Sequence, residues 1–212
     1  MTKAAGRGKY DRSQTATERQ ELRREKLLDD ATEVFAARGY AGTRVDDIVE
    51  RSGVSRRTLY EQFDSVDAIL TEVYERAVRI SFASILERLV VIDPIERIHA
   101  GVRGYYEMIA ANPSAAFVVF EVYRHAGPTQ AAKYELNTAR YAMLLLESLN
   151  AAFVAGRLGR PPDETSVYAL TKGLEAVGVR ALHRGEHDRL PAVAPIMARL
   201  IIEAFHSAPV AS

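Results

Sequence analysis

The stretch VDDIVERSGVSRRTLYEQF, Val45 to Phe63, decides the fold. Val45, Ile48 and Val49 make the apolar face of a short helix. Asp46 and Asp47 open it, where carboxylates suit the positive end of a helix. RSGVS then breaks the pattern. Gly53 can take the positive φ that most residues resist. Ser55 can cap a further helix in which Leu59 and Phe63 stand four apart. On a helical wheel Arg57 and Glu61 lie opposite that pair, Thr58 and Tyr60 on the flanks, and Arg56 in the first turn. Two short helices joined by a tight glycine turn have the spacing of a helix-turn-helix, whose second helix enters the DNA major groove. Arginine can pair bidentately with guanine, while hydroxyls and helix N-terminal amides suit phosphate. A helical hairpin on any protein surface can also carry exposed arginines. The spacing alone puts DNA binding only modestly ahead of that alternative.

Outward from this stretch the chain reads as helix after helix. Leu27, Leu28, Ala31, Val34 and Phe35 keep the period of a half-buried helix, and Gly39 is a natural stop. A fourth helix is predicted from about Ser65 to Leu89. Asp93-Pro94 starts a fifth and Asn112-Pro113 ends it. SAAFVVFEVYRH is a sixth, and a seventh runs to about Leu158. An eighth spans about Asp163 to Arg184, and a ninth about Ala192 to Ser207. No segment alternates with period two. The expected fold is all-α with about nine helices. Residues 1–17 form a basic, flexible arm, 18–64 a three-helix unit with the helix-turn-helix, and 65–212 a larger helical domain.

The chain has 212 residues, no net charge and no cysteine. Thiolate catalysis, disulfides and cysteine zinc sites are therefore excluded. Basic charge gathers at the front: residues 1–57 hold 13 Lys and Arg against 10 Asp and Glu. No metal-protease, hydrolase, dinucleotide or P-loop motif is present. His183 and His187 stand across a loop at Gly185, which makes a metal site improbable. The expectation is a non-enzymatic protein without cofactor, cytoplasmic and not membrane-bound.

The run ATEVFAARGYAGTRVDDIVERSGVSRRTLYEQFDSVDAIL resembles the DNA-binding domain of the TetR family of bacterial transcriptional regulators. The residues that carry the likeness are Phe35, Gly39-Tyr40, Thr43, Ile48, Gly53-Val54-Ser55, Thr58-Leu59-Tyr60 and Phe63. The resemblance implies that Ser55, Arg56, Arg57 and Thr58 face the major groove. It puts Thr43 and Tyr60 on phosphate and Arg44 near the DNA, and Gln62 completes the expected set. Val66 stands where family members often carry a lysine that meets the backbone, and Gln62 where an aromatic or histidine is common. Lys3, Arg7, Lys9 and Arg12 of the arm are candidates to compensate.

Beyond residue 70 the likeness is one of helix number and length. The eighth helix carries an apolar stripe of Val167, Leu170, Leu174, Val177 and Ala181. The ninth carries Val193, Ile196, Met197, Leu200, Ile201, Ala204 and Phe205. Such stripes can be monomer core, but the resemblance implies a homodimer through the last two helices. It also implies a small-molecule pocket in the middle helices, where aromatics mingle with polar groups including Asn137 and Glu175. The expected lining is Phe82, Tyr105, Phe117, Phe120, Glu121, Tyr141, Tyr168 and Glu175. The function implied is a ligand-responsive repressor, released from a double-stranded DNA operator by a largely apolar effector. A transcriptional activator, an architectural DNA-binding protein, or a ligand-binding dimer with an inactive DNA-binding unit would share every motif.

Overall fold

The computed structural model describes residues 16–206, so the basic arm with Lys3, Arg7, Lys9 and Arg12 lies outside the described residues. Among the described residues the secondary structure is helical throughout, with no strand. Three helices form the N-terminal unit: α1 (Ala16–Arg38), α2 (Val45–Ser52) and α3 (Arg56–Tyr60). Leu28, Ala31 and Phe35 of α1 are fully buried with Ile48 of α2 and Leu59 of α3. The turn between α2 and α3 follows local chemistry. Gly53 sits at φ 70° and returns its N–H to the Val49 carbonyl at 2.9 Å. Ser55 Oγ accepts the Thr58 N–H at 3.0 Å and so starts α3.

Six further helices form the larger body: α4 (Val66–Arg88), α5 (Pro94–Ala111), α6 (Pro113–Phe117), α7 (Pro128–Val154), α8 (Glu164–Arg184) and α9 (Leu190–Glu203). Ser65 caps α4, Asp93 caps α5 and Asp163 caps α8, each through a side-chain oxygen accepting a first-turn N–H. Helix α5 runs through the middle, packed on α4, α7 and α9. Helix α1 belongs to both units, for it packs on α2 and also on α4 and α6.

Three boundaries differ from the sequence reading. The sixth helix leaves α geometry after Phe117, and Val118–Tyr123 form a π-helical segment. The seventh ends at Val154, short of Leu158. Gly156 turns left-handed at φ 70°, and Arg157 N–H returns to the Ala152 carbonyl at 2.9 Å. Leu158 keeps the apolar period because it is buried beside this turn, not because the helix continues. The ninth begins at Leu190, after a single 3₁₀ turn at His187–Arg189.

The stripe expected on α9 divides between two faces. Ala194, Ala198, Ile201 and Phe205 are core, whereas Ile196 is 59% and Leu200 51% exposed. On α8, Val167 and Leu174 point inward, and Gly178 lies where a Cβ would meet Ile109 at 2.9 Å.

Gly53 has open space around its Cα, so a substitution there tests the backbone alone. Gly53→Ala is expected to lower unfolding free energy by about 1 kcal/mol, read by urea denaturation. An unchanged midpoint would mean the turn tolerates a right-handed alternative.

Candidate DNA-contact face and internal cavity

The outer side of α2 and α3 presents Arg44, Ser55, Arg56, Arg57 and Tyr60 to solvent. The Arg57 side chain is 89% exposed. Neither arginine of the pair is loose. Arg56 Nη2 meets the Asp46 carboxylate at 2.5 Å, and Arg57 Nε donates to Glu61 Oε1 at 3.0 Å. Ion pairs this exposed are worth at most about 1 kcal/mol. They hold the guanidinium groups on the face while leaving them free to exchange partners.

Ser55 and Thr58 also stand on this face. Their hydroxyls lie 2.9 Å apart, and Ser55 spends an acceptor on the cap. Two expected contact residues are placed differently. Thr43 is 7% exposed and donates its hydroxyl to the Gly39 carbonyl at 2.7 Å. It therefore closes α1 instead of reaching outward. Gln62 is half-buried, and its side-chain oxygen is enclosed without a hydrogen-bond partner, because the chain turns inward towards Phe63.

The larger body holds a cavity of about 240 Å³. Of the eight expected lining residues, Tyr105, Phe120, Tyr141 and Glu175 line it. The other four do not. Phe82 faces an open groove between α4 and α7. Phe117 packs its ring edge-on against His183, with centroids 5.6 Å apart. Glu121 also turns towards the end of α8, with an oxygen 3.6 Å from His183 Nε2. Tyr168 is a surface bridge, donating to Glu135 Oε2 at 2.5 Å. That bond pushes its phenol up to about 12.

Helix α7 supplies more of the wall than expected: Tyr134, Asn137, Thr138 and Tyr141 all line it. The signal lies in YELNTARY, where these four follow the i, i+3, i+4, i+7 period of one helix face. A polar stripe on an otherwise inward-facing helix is the mark of a lined cavity. Burial pushes the phenols of Tyr105, Tyr134 and Tyr141 above their ordinary range, so all three are hydroxyl donors. Tyr141 donates to Ser81 Oγ at 3.0 Å. Tyr105 and Tyr141 also separate this cavity from a smaller one of about 70 Å³ behind them.

The cavity wall extends to the N-terminal unit, since Glu25, Asp29 and Thr32 of α1 line it. Arg76 of α4 crosses to them, with Nη1 2.7 Å from Glu25 Oε2 and Nη2 2.5 Å from Asp29 Oδ1. Its side chain is 12% exposed, whereas the Glu25 and Asp29 side chains that hold it remain 57% and 71% exposed. Val119 and Phe120 of the π-helical segment complete the same region.

A three-helix unit whose third helix bears the arginine pair is thus joined to a helical body that encloses a cavity. Residues 27–73 match the family described as bacterial regulatory proteins, tetR family. The chain is 31% identical to the transcriptional activator FasR of Mycolicibacterium smegmatis, over 55% of this chain and 53% of FasR. It is 27% identical to the transcriptional repressor KstR2 of Rhodococcus jostii, over 87% of this chain and 92% of KstR2. The chain spans about half the length of the mycobacterial relatives it matches. The structure of FadR from Bacillus subtilis in complex with stearoyl-CoA has the same fold. There the TM-score is 0.75 at 18% identity, over 86% of this chain and all of that one. Residues 27–73 thus match a domain of the tetR family, and the relatives named here are transcriptional regulators.

Two tyrosines of the body make a matched stability test. Tyr106 is buried and donates to the Leu174 carbonyl at 3.2 Å, whereas the Tyr134 hydroxyl lies beside the Glu175 carboxylate without a hydrogen bond of ordinary geometry. Tyr106→Phe is expected to cost about 1 kcal/mol in urea denaturation and Tyr134→Phe less than about 0.5 kcal/mol. A larger loss from Tyr134→Phe would mean that its hydroxyl is already satisfied.

Proposed function

We propose that this protein is a sequence-specific DNA-binding repressor that a small, largely apolar effector releases from its operator. The observation that carries this reading is the shared wall: α1 carries the DNA-contact unit and also lines the cavity. In this reading Arg56 and Arg57 read or grip the major groove. Ser55 and Thr58 face the groove with them, Tyr60 serves phosphate, and Arg44 approaches from the start of α2. Thr43 and Gln62 support the unit from behind. The domain division at about residue 64 follows the start of α4.

The mechanism is linkage. An effector in the cavity presses on α1 and α4 together, where Arg76 ties them. If the seated effector favours one placing of α1 and DNA another, each weakens the other's binding by the same factor. Two copies are needed, because recognition helices must lie about 34–36 Å apart to read adjacent turns of DNA. The solvent-facing Ile196 and Leu200 on α9 and the exposed Ala169 and Ala176 on α8 suit a four-helix seam between protomers. Likeness to a repressor along nearly the whole chain supports repression over activation. The role requires no catalysis, cofactor or membrane anchor, and fits a cytoplasmic protein. Among the described residues no helix is long and apolar enough to cross a membrane.

The test is fluorescence anisotropy on DNA selected from a random pool, against a scrambled sequence, over a salt series. A sequence-selective and salt-steep curve is expected. Arg57→Ala is expected to weaken specific binding about tenfold, with the dimer intact by size exclusion. Equal affinity for both DNAs, or no effect of Arg57→Ala, would contradict the assignment.

A further inference from the structure

Behind the cavity of about 240 Å³ lies the smaller one of about 70 Å³, and Tyr105, Tyr141 and Thr171 line both. These three side chains are the partition between them. The two rings belong to a row that crosses the body. Phe82 of α4 lies 5.1 Å from Tyr141 of α7, Tyr141 6.3 Å from Tyr105 of α5, and Tyr105 5.6 Å from its neighbour Tyr106, centroid to centroid. All three spacings are those of attractive ring pairs. The row is pinned at two points. Tyr141 donates to Ser81 Oγ at 3.0 Å, and Tyr106 to the Leu174 carbonyl at 3.2 Å. Thr171 is fixed as well, donating to the Val167 carbonyl at 2.9 Å.

The two sides of the partition differ in chemistry. In front, Glu25, Asp29 and Arg76 line the larger cavity, and the Glu25 and Asp29 side chains are more than half exposed, so that end meets water. Glu175, the most deeply buried charge of that wall, is matched by Lys172 and Arg124. Behind, the small chamber is lined by Ile85, Leu89, Ile98, Val102, Leu144 and Leu174. The polar side chains there are spent on the main chain: Arg97 Nε donates to the Val91 carbonyl at 3.0 Å, and Ser148 Oγ to that of Leu144 at 3.1 Å. A buried water needs roughly two to four polar partners, and this wall offers few, so the end of an alkyl chain suits the space better. Its volume is about that of two water molecules of liquid, room for about two chain carbons.

We propose that the effector is an amphipathic molecule with an unbranched alkyl chain, and that Tyr105 and Tyr141 limit the length of that chain. This rests on the reading of the cavity as the effector site. The polar end lies towards Glu25, Asp29 and Arg76, and the chain runs inward until it meets the two rings. Each methylene buried on the way adds affinity. The first one that has to pass the rings does not, because moving them breaks the bond from Tyr141 to Ser81 and the ring contacts on either side. The small chamber is the space that a longer chain fills once the partition is removed.

The test is equilibrium dialysis of the full chain, without DNA, against the straight-chain 1-alkanols from butanol to dodecanol. Affinity for the wild type is expected to rise about fourfold per added methylene and then to level off at a definite length. Tyr105→Ala, checked by thermal melt, should carry the rise on by at least about two carbons. Adding Gly101→Val to it should shorten that extension, because Gly101 lines the small chamber and a Cβ there meets only Leu89, at 3.5 Å. If Tyr105→Ala does not fold, Tyr141→Leu opens the partition from α7 and must show the same extension. A rise that continues to dodecanol in the wild type overturns the proposal. So does a levelling length that the opened variant leaves in place, an extension that Gly101→Val leaves untouched, or the binding of no alkanol at all. The regulatory reading fails separately. Alkanols that bind with a sharp length limit but leave bound operator DNA in place would overturn release by the effector, with the length limit intact.

Discussion

Helix α1 has to satisfy two cores at once, and the rest of the molecule follows from that. Its Leu28 and Phe35 anchor the helix-turn-helix, while Glu25, Asp29 and Thr32 form part of the wall of the internal cavity. A helix is stiff over its length, so its two ends cannot be adjusted independently. Arg76 fixes the crossing with two charge-assisted bonds to one turn of α1. In the proposed mechanism, a shift of this crossing is what links occupancy of the cavity to the arginine-bearing face.

The electrostatics divide in a corresponding way. On the DNA-contact face the arginines are paired with carboxylates but remain in water, where such pairs are cheap to exchange. On the cavity wall Arg76 and Glu175 are shielded and matched, and removing either partner is costly there, although Glu25 and Asp29 keep more than half of their side chains in water. The exposed arginines are free to exchange partners, whereas Arg76 is committed to α1. The same side-chain types serve both because their burial differs.

The helix-turn-helix was legible because its determinants are local. A glycine at a left-handed turn, a serine cap and two apolar residues four apart fix the geometry within 19 residues. The larger body was legible as six further helices for the same reason. The cavity was only half legible. Phe117 and Phe120 read alike in sequence, but the π-helical segment that starts between them turns Phe120 to the cavity and leaves Phe117 on His183. Tyr168 and Glu121 carry the right chemistry on the wrong faces of their helices, which depends on packing far away in sequence. Tyr134 went unread although it begins the polar stripe that Asn137, Thr138 and Tyr141 continue. Thr43 shows the converse: a family contact position whose hydroxyl is used inside the fold.

The coupling between cavity and DNA-contact face is tested most directly at Arg76, which lies on α4 in the cavity wall and outside the expected set of DNA contacts. The measurement is operator affinity of Arg76→Met by anisotropy, with folding checked by thermal melt and the dimer by size exclusion. The account predicts at least about fivefold weaker binding, since the clamp that places α1 is gone. Wild-type affinity in a folded, dimeric Arg76→Met protein would contradict it, and the link from cavity to DNA would then have to run by another route.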